Sequence, residues 1–67
     1  MELTFGEQIK IIMKRKGLTV ADLANLLGVS RQNVNQLLAR DNFKYSDMVK
    51  YADILGYDLR IELIEKP

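Results

Sequence analysis

Residues 19–40, TVADLANLLGVSRQNVNQLLAR, constrain this 67-residue chain more than any other stretch. They read as two short helices joined at Gly28, the second with an apolar stripe on one side and amides with an arginine on the other. Helices of this length are not stable alone in water, because nucleation is costly and packing of an amphipathic face supplies most of the stability. The rest of the chain is therefore expected to hold this pair in place.

In the second helix Ser30 stands at the cap position, where its hydroxyl can accept from a backbone N–H two or three residues on. At 3.6 residues per turn Val34, Leu37 and Leu38 share one side, and Arg31, Gln32, Asn35 and Gln36 share the other. Asn costs about 0.5 kcal/mol relative to Ala inside a helix, so Asn33 and Asn35 were not chosen for helix propensity. Paired amide donors and acceptors match the N6/N7 edge of adenine, and a guanidinium matches O6/N7 of guanine. Seen alone, such a face also fits ordinary solvated surface.

Sixty-seven residues make one domain with a small core, marginal unless something such as oligomerisation supports it. There is no Cys and no His, which removes disulfides, thiolate metal sites, the commonest general base and the commonest metal ligand. No enzyme activity and no cofactor or metal are expected. The opening MELTFGEQIK lacks the apolar run of a signal peptide, and no 18-residue apolar segment is present to span a bilayer, so a cytoplasmic protein is expected. The net charge of +1 is polarised: residues 1–44 carry +3 and residues 45–67 carry −2. One side of such a molecule can face a phosphate backbone, although a random scatter of surface charge would look the same.

Thr4 and Glu7 have the spacing of a capping box and open a first helix, which Gly17 ends after a basic run. Its core face holds Phe5, Ile9, Ile12 and Met13, with Ile11 nearly opposite. Thr19 and Asp22 repeat the capping pattern for the second helix, whose inward residues are Leu23, Ala24 and Leu27, with Val20 beside them. Gly28 suits a left-handed cap, and Val29 is expected to plug the turn. A last helix over residues 45–55 buries Met48, Tyr51, Ala52 and Leu55, with Phe43 and Tyr45 closing the lower edge of the core.

After Gly56 the period changes. Tyr57, Leu59, Ile61 and Leu63 alternate with Asp58, Arg60 and Glu62, the pattern of a half-buried strand. Its ladder would need a partner, and a second copy of the same strand is the natural one. Antiparallel pairing about Ile61 would set Arg60 against Glu62 of the other copy, worth about 0.2–1 kcal/mol. The alternatives are a strand lying on its own domain or pairing with residues 1–4.

With these residues in view, GLTVADLANLLGVSRQNVNQLLAR resembles the helix-turn-helix of the phage-repressor and Cro family, also called the xenobiotic-response-element family. The likeness extends from Phe5 through Gly56. It implies a mostly α, four-helix, lambda-repressor-like domain over residues 1–56, to which the C-terminal β-strand arm over residues 57–67 is added for dimerisation. It also implies double-stranded DNA as partner, with the helix of residues 30–39 in the major groove. Carried over by position, Arg31, Gln32, Asn35 and Gln36 would read base edges, with Asn33 at the margin. Thr19 and Ser30 would meet phosphates through helix N-termini, and Arg40, Asn42 and Lys44 would do so from the following loop. Val20 departs from the family, which often has Gln there, so a frequent phosphate contact is missing. The loop over residues 40–44 is also slightly short and lacks the common Gly and Pro.

Three functions compete on this basis. The first is a sequence-specific transcriptional regulator, a homodimeric repressor on a palindromic operator, with Tyr57, Leu59, Arg60, Ile61, Glu62 and Leu63 as its dimer contact. The second is an antitoxin-like component that also masks a partner toxin, through Ile11, Leu26 and Leu38. The third is a protein-interaction module without DNA binding, against which Arg31, Gln32 and Gln36 argue.

Overall fold

The computed structural model describes residues 3–67 and contains four helices in chain order: α1, Phe5–Lys16; α2, Val20–Leu27; α3, Arg31–Arg40; and α4, Tyr45–Ile54. Each of the first three helices begins at a side-chain cap. Thr4 accepts from Glu7 N–H at 3.2 Å while Glu7 accepts from Thr4 N–H at 3.1 Å, the reciprocal pair that the spacing predicts. Thr19 and Asp22 repeat it at 3.1 and 2.9 Å. Ser30 accepts from Asn33 N–H at 3.1 Å, and the carboxylate of Asp47 accepts from Lys44 N–H at 3.3 Å to start α4.

Two glycines frame the helix pair at its entrance and its turn. Gly17 at φ 66° ends α1, and Gly28 at φ 72° ends α2, where a side chain would be strained. At the turn Gly28 N–H donates to Asn25 O and Val29 N–H to Ala24 O, at 3.2 and 3.0 Å. These bonds satisfy the last carbonyls of α2, so the chain can reverse within three residues and start α3 at once. Val29 itself is 42% exposed and does not plug the turn; the backbone bonds alone close it.

The core lies between α3 and the other helices: α3 packs on α2 and α1, and α4 packs on α2. Its centre is Ile9 of α1, Leu23 of α2 and Val34 of α3, all essentially inaccessible to water. Met13, Ala24, Leu38, Phe43, Tyr51 and Leu55 surround them, and Phe5, Ile12, Leu27, Leu37 and Met48 pack at the edge. Phe43 closes this core as expected, but Tyr45 is 64% exposed and does not. Burying each large aliphatic side chain contributes about 1.5–3 kcal/mol, and this shared burial makes the short helices stable together.

The C-terminal strand expected over residues 57–67 is absent. Among the described residues there is no strand, and the chain beyond Gly56 carries neither helix nor ladder. Leu59 is half-buried beside Phe5, Ile12 and Met48, whereas Ile61, Leu63 and Ile64 are 61%, 101% and 84% exposed. The physical reason is that a strand exists only where its N–H and C=O groups find a ladder partner, and none of the described residues supplies one. Alternation of side chains is necessary for a half-buried strand and insufficient for it. Of the proposed pairing segment, Leu3 and Thr4 are not in a strand, and residues 1 and 2 lie outside the described residues. The fold is all-helical.

Candidate nucleic-acid interface

Because Val34 and Leu38 face the core, Gln32, Asn35 and Gln36 point away from it, while Arg31, in register with Val34 and Leu38, clears the core as the first residue of α3. Arg31, Gln32, Asn35 and Gln36 are all exposed, and together with Ser30 and Ala39 they line one shallow, open concavity. Such a surface has amide donors, amide acceptors and a guanidinium within about one and a half turns of one another, on a helix packed into the core by Val34 and Leu38. It can lay hydrogen-bonding groups along a row of base edges without ordering a loop first.

Asn33 stands apart from that group. It borders a different cleft, with Leu27, Val29, Leu37, Lys44 and Lys50, between α2, α3 and the first turn of α4. Its backbone N–H is already engaged by the Ser30 cap.

The five positions singled out for phosphate contact are exposed. The oxygens of Thr19 and Ser30 accept from the N-termini of α2 and α3; the Thr19 hydroxyl also bonds to the Asp22 carboxylate. Arg40 is in the last turn of α3, Asn42 in the loop that follows, and Lys44 at the cap of α4. Val20, where the family often has Gln, is half-buried in the first turn of α2.

Sequence reasoning missed Asp41. It ends α3 with φ 53° and ψ 39°, in the left-handed region, and its N–H donates to Leu37 O at 2.8 Å. Its Oδ1 accepts from Gly6 N–H in the first turn of α1 at 2.9 Å. The Thr4 hydroxyl and that amide hold the Asp41 carboxyl below the ordinary carboxylate range. A usable signal was present in Phe5-Gly6-Glu7: a glycine inside a capped helix start weakens the helix, which points to a close approach by another part of the chain. The patch of Ile11, Leu26 and Leu38 also needs correction, because Leu38 is only 8% exposed and belongs to the core.

Two capped helices crossing through a glycine turn, the second turning a polar face to solvent, define a helix-turn-helix DNA-binding domain. A family model described as Helix-turn-helix matches residues 9–61, and the chain belongs to this Cro-type family of DNA-binding regulators. Comparisons with curated proteins and with solved structures returned no match. Among the described residues no helix is long and apolar enough to cross a membrane.

Proposed function

We propose that this protein is a sequence-specific transcriptional regulator that places α3 in the major groove and represses by occupying its operator. The observation that carries this reading is the shared concavity of Arg31, Gln32, Asn35 and Gln36 on a helix anchored by Val34 and Leu38. Arg40, Asn42 and Lys44, with the hydroxyls of Thr19 and Ser30, hold the duplex backbone on either side and set the register. Selection from random duplexes tests this directly: enrichment of one sequence supports it, and no enrichment at low salt sinks it.

The regulator acts as a homodimer in this reading. Support comes from the three most exposed large apolar side chains of the C-terminal segment, Ile61, Leu63 and Ile64, next to Arg60 and Glu62. Large apolar side chains exposed together in one short segment suit a contact site. A two-fold dimer reads a palindrome with half-sites about 34 Å apart, or a multiple of that. Sedimentation equilibrium of the full chain and of a Leu63→Glu, Ile64→Glu variant decides the matter, since equal masses would remove the tail from the interface. Toxin masking draws support from exposed Ile11 and Leu26 alone, and recovery of a small protein in fixed ratio would favour it.

A further inference from the structure

After α1, α2 and α4 the left-handed position is filled by glycine: Gly17, Gly28 and Gly56. After α3 it is filled by Asp41, the non-glycine residue with positive φ among the described residues. A β-carbon there is strained, and glycine would relieve the strain. Gly6 is the converse oddity, a poor helix former in the first turn of α1. A β-carbon on Gly6 would come within 2.7 Å of Asp41 Oδ1 and 2.9 Å of its Cγ. One contact accounts for both residues: the 2.9 Å hydrogen bond from Gly6 N–H to the Asp41 carboxylate, across 35 positions of sequence.

We infer that Asp41 is a positioning residue for DNA reading, tying the C-terminal end of α3 to the first turn of α1 so that Arg31, Gln32, Asn35 and Gln36 meet the duplex at one fixed tilt. The N-terminal end of α3 is held separately, by the Gly28 turn and the Ser30 cap. Val34 and Leu38 seat the middle of α3 in the core and Phe43 anchors the loop after it, and the tether adds a fixed point at the last turn that sets the tilt of the helix about those contacts. The tether also explains an acid between Arg40 and Lys44: half-buried and bonded to the positive end of α1, the carboxylate is engaged away from phosphate. This inference rests on the reading of α3 as the base-contacting helix.

Two substitutions isolate the tether in the full chain. Asp41→Gly keeps the left-handed backbone and removes the carboxylate; Asp41→Asn keeps an oxygen acceptor and tolerates the same φ. Residual dipolar couplings of the free protein report the orientation of α3 relative to α1, and competition between the selected duplex and a scrambled one reports selectivity. Asp41→Gly is expected to melt within about 5 °C of the parent, because released strain offsets the lost bond. Its couplings should no longer fit the parent orientation, and its selectivity should fall about tenfold, the effect of one mismatched base pair. Affinity for the scrambled duplex should stay within about twofold, and Asp41→Asn should match the parent in helix orientation and in selectivity. Gly6→Ala displaces the carboxylate while leaving its charge in place, and should lower selectivity in the same way even if Asp41→Gly does not fold. Unchanged couplings and selectivity in the folded variants, or a loss that Asp41→Asn does not rescue, overturn the tether. A parent protein without selectivity overturns instead the reading of α3 on which the inference rests, while the couplings still decide whether the tether orients the helix.

Discussion

The ring of Phe43 meets the ring of Phe5 edge-to-face, with centroids 4.9 Å apart, and Tyr51 packs against Phe43 at 5.2 Å in the same manner. These contacts join the loop after α3 to both α1 and α4. Edge-to-face pairs add about 0.5–1.5 kcal/mol beyond area burial. Phe43→Ala should therefore destabilise the fold by about 3–5 kcal/mol, measured by urea or thermal unfolding. A loss below about 1 kcal/mol would show that the loop is held by something else.

The same cluster contains an unpaired group. The hydroxyl of Tyr51 is buried and has no hydrogen-bond partner among the described residues. An unsatisfied buried hydroxyl costs about 1–3 kcal/mol, so Tyr51→Phe should leave stability unchanged or raise it by up to that amount. A clear drop in the melting temperature of the variant would reveal a partner for the hydroxyl in solution.

Base reading and backbone grip are separable on the DNA side. Gln32→Ala should cost about 1–3 kcal/mol on the selected duplex and relax the preference at one position. Lys44→Ala should weaken every sequence alike and flatten the salt dependence by about one unit. Binding titrations on matched and mismatched duplexes at several salt concentrations distinguish the two. An equal loss from Gln32→Ala on all sequences would remove that residue from the reading set.

Stability should be bounded by acid on one side and base on the other. The Asp22 carboxyl lies below its ordinary 3.8 because the Thr19 backbone N–H and hydroxyl bond to it. Asp41 lies below 3.8 through the Thr4 hydroxyl first, then the Gly6 amide. Both are depressed on folding, so their contribution is fully present above pH 3.8 and is lost as pH falls through the folded values. Tyr51 is raised above 10.0 by burial, with Asp47 adding repulsion. Its contribution is complete below pH 10.0 and is lost as pH climbs through the raised value. Melting curves across pH should show a plateau between these limbs, and a combined Asp22→Asn, Asp41→Asn variant should show a shallower acid limb. An unaltered acid limb would place the responsible carboxylates elsewhere.

Much of this molecule could be read from local pattern alone. Thr4 with Glu7 and Thr19 with Asp22 announced helix starts, and Gly17 and Gly28 announced stops, because capping is settled within four or five residues and leaves its mark in composition. The inward stripe of Val34, Leu37 and Leu38 likewise fixes which side of α3 carries Gln32, Asn35 and Gln36, since helical periodicity is a property of the chain by itself, whereas Arg31 shares the register of Val34 and Leu38 and is exposed because it starts the helix. Tertiary structure decided what depends on residues far apart. The alternation after Gly56 did not become a strand, because a ladder needs a partner that none of the described residues supplies. Leu38 went into the core and Tyr45 into water, because their positions are set by which helix lies opposite. The bond between Asp41 and Gly6 joins residues 35 positions apart, and only the packing of α3 against α1 brings that carboxylate to that amide.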